Sequence, residues 1–183
     1  MVPKTEIDSL NLWEGDRIFH RLLDEEAPFF SLKLRYQDDL LKEAVLDGKP
    51  LELLDLLDEN GEPSGQVRER TLVHLNGELA PDEPCLGRKK TEGRRDMTCV
   101  LQKRSREKDS FGGCYDISSA GHIPAGQDYL ESALRELKEE LGIAAEPEDL
   151  RLVGSMTDTM KASSMDGSLR IMRRVMFLLM KSR

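Results

Sequence analysis

Three glutamates, Glu136, Glu139 and Glu140, lie within five consecutive residues of the segment RELKEELG. In an α-helix the spacings i, i+3 and i+4 place all three carboxylates on one face. Like charges at these spacings repel each other, and carboxylate oxygens are the ligands that Mg²⁺ and Mn²⁺ prefer. The pattern therefore indicates a site for a divalent cation, while a run of this kind is also typical of a solvated helix face.

The residues around these glutamates predict the helix that positions them. Asp128 is a suitable N-cap, and Gly142 stands where a left-handed residue commonly ends a helix, so the helix is predicted over residues 129–141. Arg135 lies one turn from Glu139 and is predicted to pair with it. A stripe of leucines at helical spacing predicts the packed face, formed by Leu130, Leu134, Leu137 and Leu141.

The stretch from Gly121 to Ile143 resembles the Nudix box, G-x5-E-x7-R-E-U-x-E-E-x-G-U, in which U is an aliphatic residue. One defining position differs, because Gln127 stands where the pattern has its first glutamate. A match with fixed spacing over 23 positions is far more specific than a short glycine motif. Other segments, among them LDLLDENGEPSG and CYDISSAGH, resemble the Nudix subgroup allied to isopentenyl diphosphate isomerase.

This resemblance implies an α/β (α+β) fold, the Nudix-type α/β/α sandwich with a mixed β-sheet. It implies that Glu136, Glu139 and Glu140 bind Mg²⁺, with Mn²⁺ as an alternative, and that Arg135 orients them by salt bridging. Glu140 is the first candidate for catalysis, followed by Glu139 and Arg135. The implied reaction is hydrolysis of a nucleoside diphosphate linked to a moiety X, in which metal ions neutralise the phosphoryl groups and orient water.

The resemblance also implies a set of substrate-binding residues. Arg104 and Lys108 match positions that hold the diphosphate in the isomerase, where two cations would clamp phosphoryl oxygens. Gly121 would let the loop backbone approach the metal and the phosphates without a Cβ in the way. His122 matches a metal-binding histidine of the isomerase, and a loop hydrogen-bonding role is an equal alternative for it.

Departures from the family pattern leave two other functions open. Gln127, together with the lack of a further glutamate after Val153, favours a catalytically weak nucleotide- or diphosphate-binding protein of Nudix fold. Isopentenyl diphosphate isomerase ranks third, because Ala120 stands where that enzyme has a cysteine and alanine cannot transfer a proton.

Composition limits the class of partner. The 183 residues are 38% hydrophobic and 34% charged, with a net charge of −8. No apolar run approaches the roughly 20 residues that a membrane span needs, and the negative charge disfavours nucleic acid. Because the first residues lack a secretory signal pattern, a cytoplasmic location is expected. The predicted partner is a small-molecule diphosphate substrate, with no nucleic acid and no membrane, and a homodimer is left open.

The predicted local structure changes from helix to strand near residue 50. Residues 1–49 are predicted to be a helical N-terminal extension that stops at Gly48 and Pro50. Residues 50–183 are predicted to be the Nudix domain, with a proline-bearing loop over residues 79–95 and a C-terminal part that is truncated or diverged. Within it the strands are predicted at LELLDLLD, VRERTLVH, MTCVLQKR, LRLVGSM and VMFLLM.

Overall fold

The computed structural model describes residues 3–90, 97–107, 111–164 and 167–180. The chain divides into two compact units, of which the first comprises residues 1–79 and 159–172 and the second residues 80–158 and 173–183. Both contain helix and strand, and every strand pair whose register is given is antiparallel. The mixed α+β class is therefore confirmed, and the domain boundary at residue 49 stays a prediction.

The first unit opens with a 3₁₀-helix, Lys4–Ser9. Its helices and strands then follow as α1 (Glu14–Asp24), β1 (Leu32–Gln37), β2 (Leu40–Leu46), β3 (Lys49–Pro50), β4 (Leu53–Leu57), β5 (Pro63–Glu69) and α2 (Arg70–Asn76). The first three strands form a sheet in the order β1-β2-β3, and β4 pairs with β5. Ile18 of α1, Leu41 of β2 and Leu54 of β4 are among its fully buried side chains.

Residues 32–50 form strands, so the prediction that the whole of residues 1–49 is helical was wrong for this part. Leu41 and Ala44 are both buried although they are three residues apart, a spacing that suggests a helix. A register shift explains it, because Leu41 lies opposite Tyr36 and Glu43 opposite Arg35, which leaves Lys42 as an extra residue. The bulge moves the buried face by one residue and so imitates helical periodicity.

The second unit contains most of the remaining elements. Residues 159–172, which include parts of the last two strands, belong to the first unit. These elements are β6 (Leu79–Lys90), β7 (Met97–Cys99), β8 (Gln102–Lys103), β9 (Tyr115–Asp116), β10 (Ser119–His122), α3 (Tyr129–Leu141), a 3₁₀-helix (Pro147–Asp149), β11 (Leu150–Ser164) and β12 (Gly167–Met180). Five strands share a sheet in the order β10-β6-β12-β11, with β7 also paired to β6.

Two further predictions of local structure were wrong. The TLVH part of VRERTLVH belongs to α2, because the Glu69 carboxylate accepts hydrogen bonds from the amides of Thr71 and Leu72 and so caps a helix. The segment from residue 79 to 90 is strand β6, in spite of Pro81 and Pro84. A proline removes only a donor from the ladder, and the carbonyl of Pro81 still accepts from the amide of Ile123. Residues 91–96 lie outside the described part.

Other predicted elements are confirmed. Helix α3 spans Tyr129–Leu141 as predicted, and LELLDLLD, LRLVGSM and VMFLLM lie in β4, β11 and β12. The Asn60-Gly61 turn joins β4 to β5, with Gly61 at a φ of 80°. Among the helices of the described residues, none has the length and apolar character needed to span a membrane.

Candidate functional site

Helix α3 holds the three glutamates and is fixed at both ends by the residues that the sequence indicated. The Asp128 carboxylate accepts from the amides of Leu130 and Glu131, at 2.8 and 2.9 Å. At the other end Gly142 adopts a left-handed conformation with a φ of 66°. Ala133 and Leu137 are fully buried, and the predicted leucines pack around them: Leu130, Leu134 and Leu141. On the acidic side of the helix Glu139 and Glu140 are exposed, whereas Glu136 is half-buried.

Glu136 is held by two neighbours, Gly121 and Arg135. A Cβ built on Gly121 of β10 would lie 2.7 Å from Cδ, 2.8 Å from Oε1 and 2.9 Å from Cγ of Glu136, all closer than real Cβ contacts allow. In addition, Nη2 of Arg135 donates to Oε1 of Glu136 at 3.0 Å. The Glu136 side chain is 17% exposed. Its carboxylate is thus held in one place by a glycine backbone and a guanidinium.

Gln127 completes this arrangement from the loop before α3. Its Oε1 accepts from Nη1 of Arg135 at 2.7 Å and from the Ser132 hydroxyl at 3.4 Å. Arg135 therefore bridges Gln127 and Glu136, and the predicted pair with Glu139 is not formed. Long helical side chains lean toward the helix N-terminus, where Gln127 lies, and away from Glu139. Ser132 was not predicted, and the only signal for it was its position one turn into the helix.

Glu139 and Glu140 differ from Glu136 in their surroundings. Both side chains are exposed, and neither takes part in a hydrogen bond or ion pair within the described part of the chain. Among the residues whose placement is described, no three or more His, Cys, Asp or Glu side chains are gathered closely enough to hold a metal ion as they stand. The ligand assignment to Glu136, Glu139 and Glu140 therefore stays a prediction.

The donor set nevertheless suits a hard divalent cation. Three carboxylates at i, i+3 and i+4 have Cβ atoms about 5–6 Å apart, so rotation of the two exposed side chains brings their oxygens toward Glu136. Oxygen ligands of this kind match Mg²⁺, which retains several waters and needs few protein ligands. The glycine that allows the Glu136 carboxylate to lie against the β10 backbone is the second feature in favour of the fit.

The loop between β10 and α3 contains a second glycine, Gly126. Gly126 has a φ of 81°, and the amide of Gln127 donates to the carbonyl of Pro124 at 3.0 Å, which closes a tight turn. Gly121, in contrast, lies in a strand without a left-handed φ. The structure shows its close approach to the Glu136 side chain. The predicted approach to metal and phosphate stays a prediction.

Two of the other predicted substrate-binding residues, Arg104 and His122, lie in the described part of the chain. Nη1 of Arg104, just after β8, donates to Oδ2 of Asp116 in β9 at 2.8 Å. His122 is half-buried in β10, opposite Asp82 of β6. Lys108 lies outside the described residues. Their roles in binding substrate therefore remain predictions.

Comparison with known proteins identifies the family. A model of the NUDIX domain matches residues 88–179, which is half of the chain and includes the whole box. An uncharacterised Nudix hydrolase of Clostridium acetobutylicum is 40% identical over 103 residues, covering 56% of this chain and 48% of that protein. An isopentenyl-diphosphate Delta-isomerase of Pectobacterium atrosepticum is 33% identical over 94 residues, covering 51% and 49%. The chain thus spans about half the length of these two relatives.

A crystal structure of a protein from Deinococcus radiodurans aligns with 72% of this chain and 74% of its own, at 24% identity and a TM-score of 0.49. The resemblance drawn from the stretch Gly121 to Ile143 is confirmed by the family model, and the likeness to the isomerase subgroup by the Pectobacterium relative. The chain belongs to the NUDIX domain family.

Proposed function

We propose that the protein is a Mg²⁺-dependent hydrolase of phosphoanhydride bonds whose substrate is a nucleoside diphosphate linked to a moiety X. The observation that supports this most directly is the Glu136 carboxylate, confined between the Gly121 backbone and the Arg135 guanidinium at a box position. A ligand side chain that is ordered beforehand loses less conformational freedom when it binds. The fold thus gives one of the three carboxylates a fixed position.

Glu136, Glu139 and Glu140 would hold the cation. They carry three formal negative charges, of which Arg135 offsets one. A net charge of about −2 therefore remains to attract a divalent ion. When bound, Mg²⁺ would neutralise phosphoryl oxygens and lower the pKa of a coordinated water. Glu139 and Glu140 are exposed, so a diphosphate in solution can reach their carboxylates.

In the proposed reaction a water oxygen forms a bond to one phosphorus, and the bond from that phosphorus to the bridging oxygen breaks. The bridging oxygen leaves with the second phosphoryl group, so two phosphorylated products result. Glu140 is the proposed acceptor of the water proton, because its exposed carboxylate forms no ion pair within the described part of the chain. Arg104, Lys108, His122 and the backbone at Gly121 are the proposed contacts for the substrate.

The experiment that tests this function is Mg²⁺-dependent turnover across nucleotide sugars, dinucleoside polyphosphates and nucleotide cofactors. Wild type should hydrolyse at least one of them, and Glu140→Gln should lower kcat by about 100-fold or more, because the carboxylate can no longer accept a proton. Glu131→Gln is a matched control, since it neutralises an exposed glutamate at the other end of the same helix. Equal turnover by Glu140→Gln and wild type would contradict the assignment.

A catalytically weak diphosphate-binding protein is the second candidate. The observation that favours it is the exposure of Glu139 and Glu140, which are not gathered around Glu136 in the described structure. Isothermal titration calorimetry distinguishes the two functions. Binding of a nucleotide without release of phosphorylated product over a long incubation would favour the binding protein and contradict hydrolysis.

Isomerase activity ranks third, although an isopentenyl-diphosphate Delta-isomerase is among the relatives. Ala120 of β10, which immediately precedes Gly121, has no proton to transfer. Detection of an allylic diphosphate after incubation with isopentenyl diphosphate would reverse this ranking. The cytoplasmic location and the homodimer remain predictions.

A further inference from the structure

We infer that Gln127 is a positioning residue that acts through Arg135 and keeps the divalent-cation affinity of the carboxylate cluster low. This inference rests on the proposed function, because it concerns the residues that would hold the cation. It starts from the chain of contacts Gln127–Arg135–Glu136, in which one guanidinium donates to both neighbours, at 2.7 and 3.0 Å.

The amide oxygen of Gln127 fixes the direction of the Arg135 side chain. Two donors converge on this oxygen, Nη1 of Arg135 and the buried Ser132 hydroxyl. With Nη1 held there, Nη2 is presented to Glu136 on the same edge of a planar guanidinium. The Glu136 carboxylate also occupies the space that a Cβ at position 121 would need, so it lies against the β10 backbone.

The neutrality of Gln127 decides how the charge of Arg135 is shared. A glutamate at this position would take part of the guanidinium charge and would add a negative charge of its own beside the cluster. With glutamine, Arg135 forms its ion pair with Glu136 and with no other residue in the described part of the chain. A cation that binds Glu136 must then compete with the Arg135 guanidinium for this carboxylate, and the competition weakens cation binding. The one departure from the box pattern thus becomes a determinant of metal affinity.

The test is titration of the full chain with Mn²⁺ in the absence of substrate, followed by electron paramagnetic resonance of the free ion. Gln127→Glu should lower the Mn²⁺ dissociation constant about fivefold, the size expected for one added charge near a partly screened dication. Gln127→Met keeps the charge but removes the acceptor, so Arg135 is no longer held on Glu136 and the dissociation constant should fall about threefold. Thermal unfolding should be nearly the same for all three proteins, since Gln127 is exposed.

Lys138→Gln is the matched control for charge. It changes the net charge by the same −1 from an exposed position on α3, and neither Arg135 nor Glu136 contacts Lys138 through a hydrogen bond or ion pair in the described residues. Its effect on the Mn²⁺ dissociation constant should stay within about twofold at physiological salt. Equal shifts for Gln127→Glu and Lys138→Gln would overturn the inference, because the effect would then be one of net charge only.

The outcomes also separate this inference from the proposed function. Glu136→Gln should weaken Mn²⁺ binding about tenfold if the cation is held as proposed. If wild type binds Mn²⁺ and Glu136→Gln weakens it while both Gln127 variants match wild type, only the role of Gln127 fails. If wild type binds no Mn²⁺ at millimolar concentration, the metal-dependent function fails together with it.

Discussion

The carboxylate of Glu136 lies against Gly121 in the space that a side chain at position 121 would need. A Cβ there would lie 2.7 Å from Cδ of Glu136. Gly121 has no left-handed φ, so the need for glycine comes from this contact and not from the backbone. Strand β10 and helix α3 are separated by only a short loop, and this contact holds the Glu136 carboxylate of the helix against the strand.

We expect Gly121→Ala to displace Glu136 and to lower kcat/KM by about 100-fold, since a misplacement near 1 Å is enough for a loss of that size. The added methyl should also lower the free energy of unfolding by about 1–3 kcal/mol through overpacking. Steady-state kinetics and urea unfolding measure the two effects. Gly154→Ala is the matched control, because nothing lies within 4 Å of its added Cβ. Similar losses for both variants would contradict the close contact.

Arg68, a buried arginine in the first unit, should contribute more to the free energy of unfolding than Arg70, an arginine two residues later whose side chain is half exposed. Arg68 is 7% exposed and donates from Nε and Nη2 to both oxygens of Glu14, at 2.8 and 2.9 Å, and also to Glu78. Arg68→Met leaves these two carboxylates without their shared cation. We expect the free energy of unfolding to fall by about 3 kcal/mol, because Glu78 loses its cation and Glu14 keeps only the longer contact with Arg17, at 3.5 Å.

Arg70→Met makes the same chemical change two residues away. Arg70 pairs with Glu52 at 3.2 Å, and its side chain is 48% exposed, so the loss should be below about 1 kcal/mol. Urea unfolding monitored by circular dichroism compares the two variants. Equal losses would show that the Arg68 contacts add nothing beyond a surface ion pair.

The turn between β4 and β5 should make stability depend on pH. Oδ1 of Asp58 accepts from the amides of Asn60 and Glu62, both at 2.9 Å, and the pKa of this carboxyl is lowered below 3.8, with the Glu62 amide as the largest cause. Because the folded pKa is below the unfolded one, the stabilisation is complete above about pH 5 and is lost as pH falls through the folded pKa.

Asp58→Asn removes this pH-dependent contribution. The difference in unfolding free energy between wild type and Asp58→Asn should therefore shrink as the pH is lowered from about 5 to about 3. Urea unfolding curves at a series of pH values measure it. A difference that stayed constant over this interval would mean that the two amide hydrogen bonds do not favour the charged carboxylate.

Local periodicity was enough to predict some elements and misleading for others. Helix α3 was predictable residue by residue, since its cap, its leucine stripe and its terminal glycine all agree. Strand β2 was not, because the extra residue at Lys42 is set by pairing with β1 and shifts the buried face. Strand β6 was not, because it forms by pairing with β10 and β12, which lie far away in sequence, and this pairing holds a segment with two prolines in the sheet.

The sequence alone determined the family, the positions of the three glutamates on one helix and the identity of the one departure from the box, Gln127. These depend on residue type and on the fixed geometry of an α-helix, both of which can be read from the order of residues. The tertiary structure decided which carboxylate is held in place. Only when β10 lies against α3 does Gly121 meet Glu136. That contact depends on distances between elements, which residue spacing does not contain.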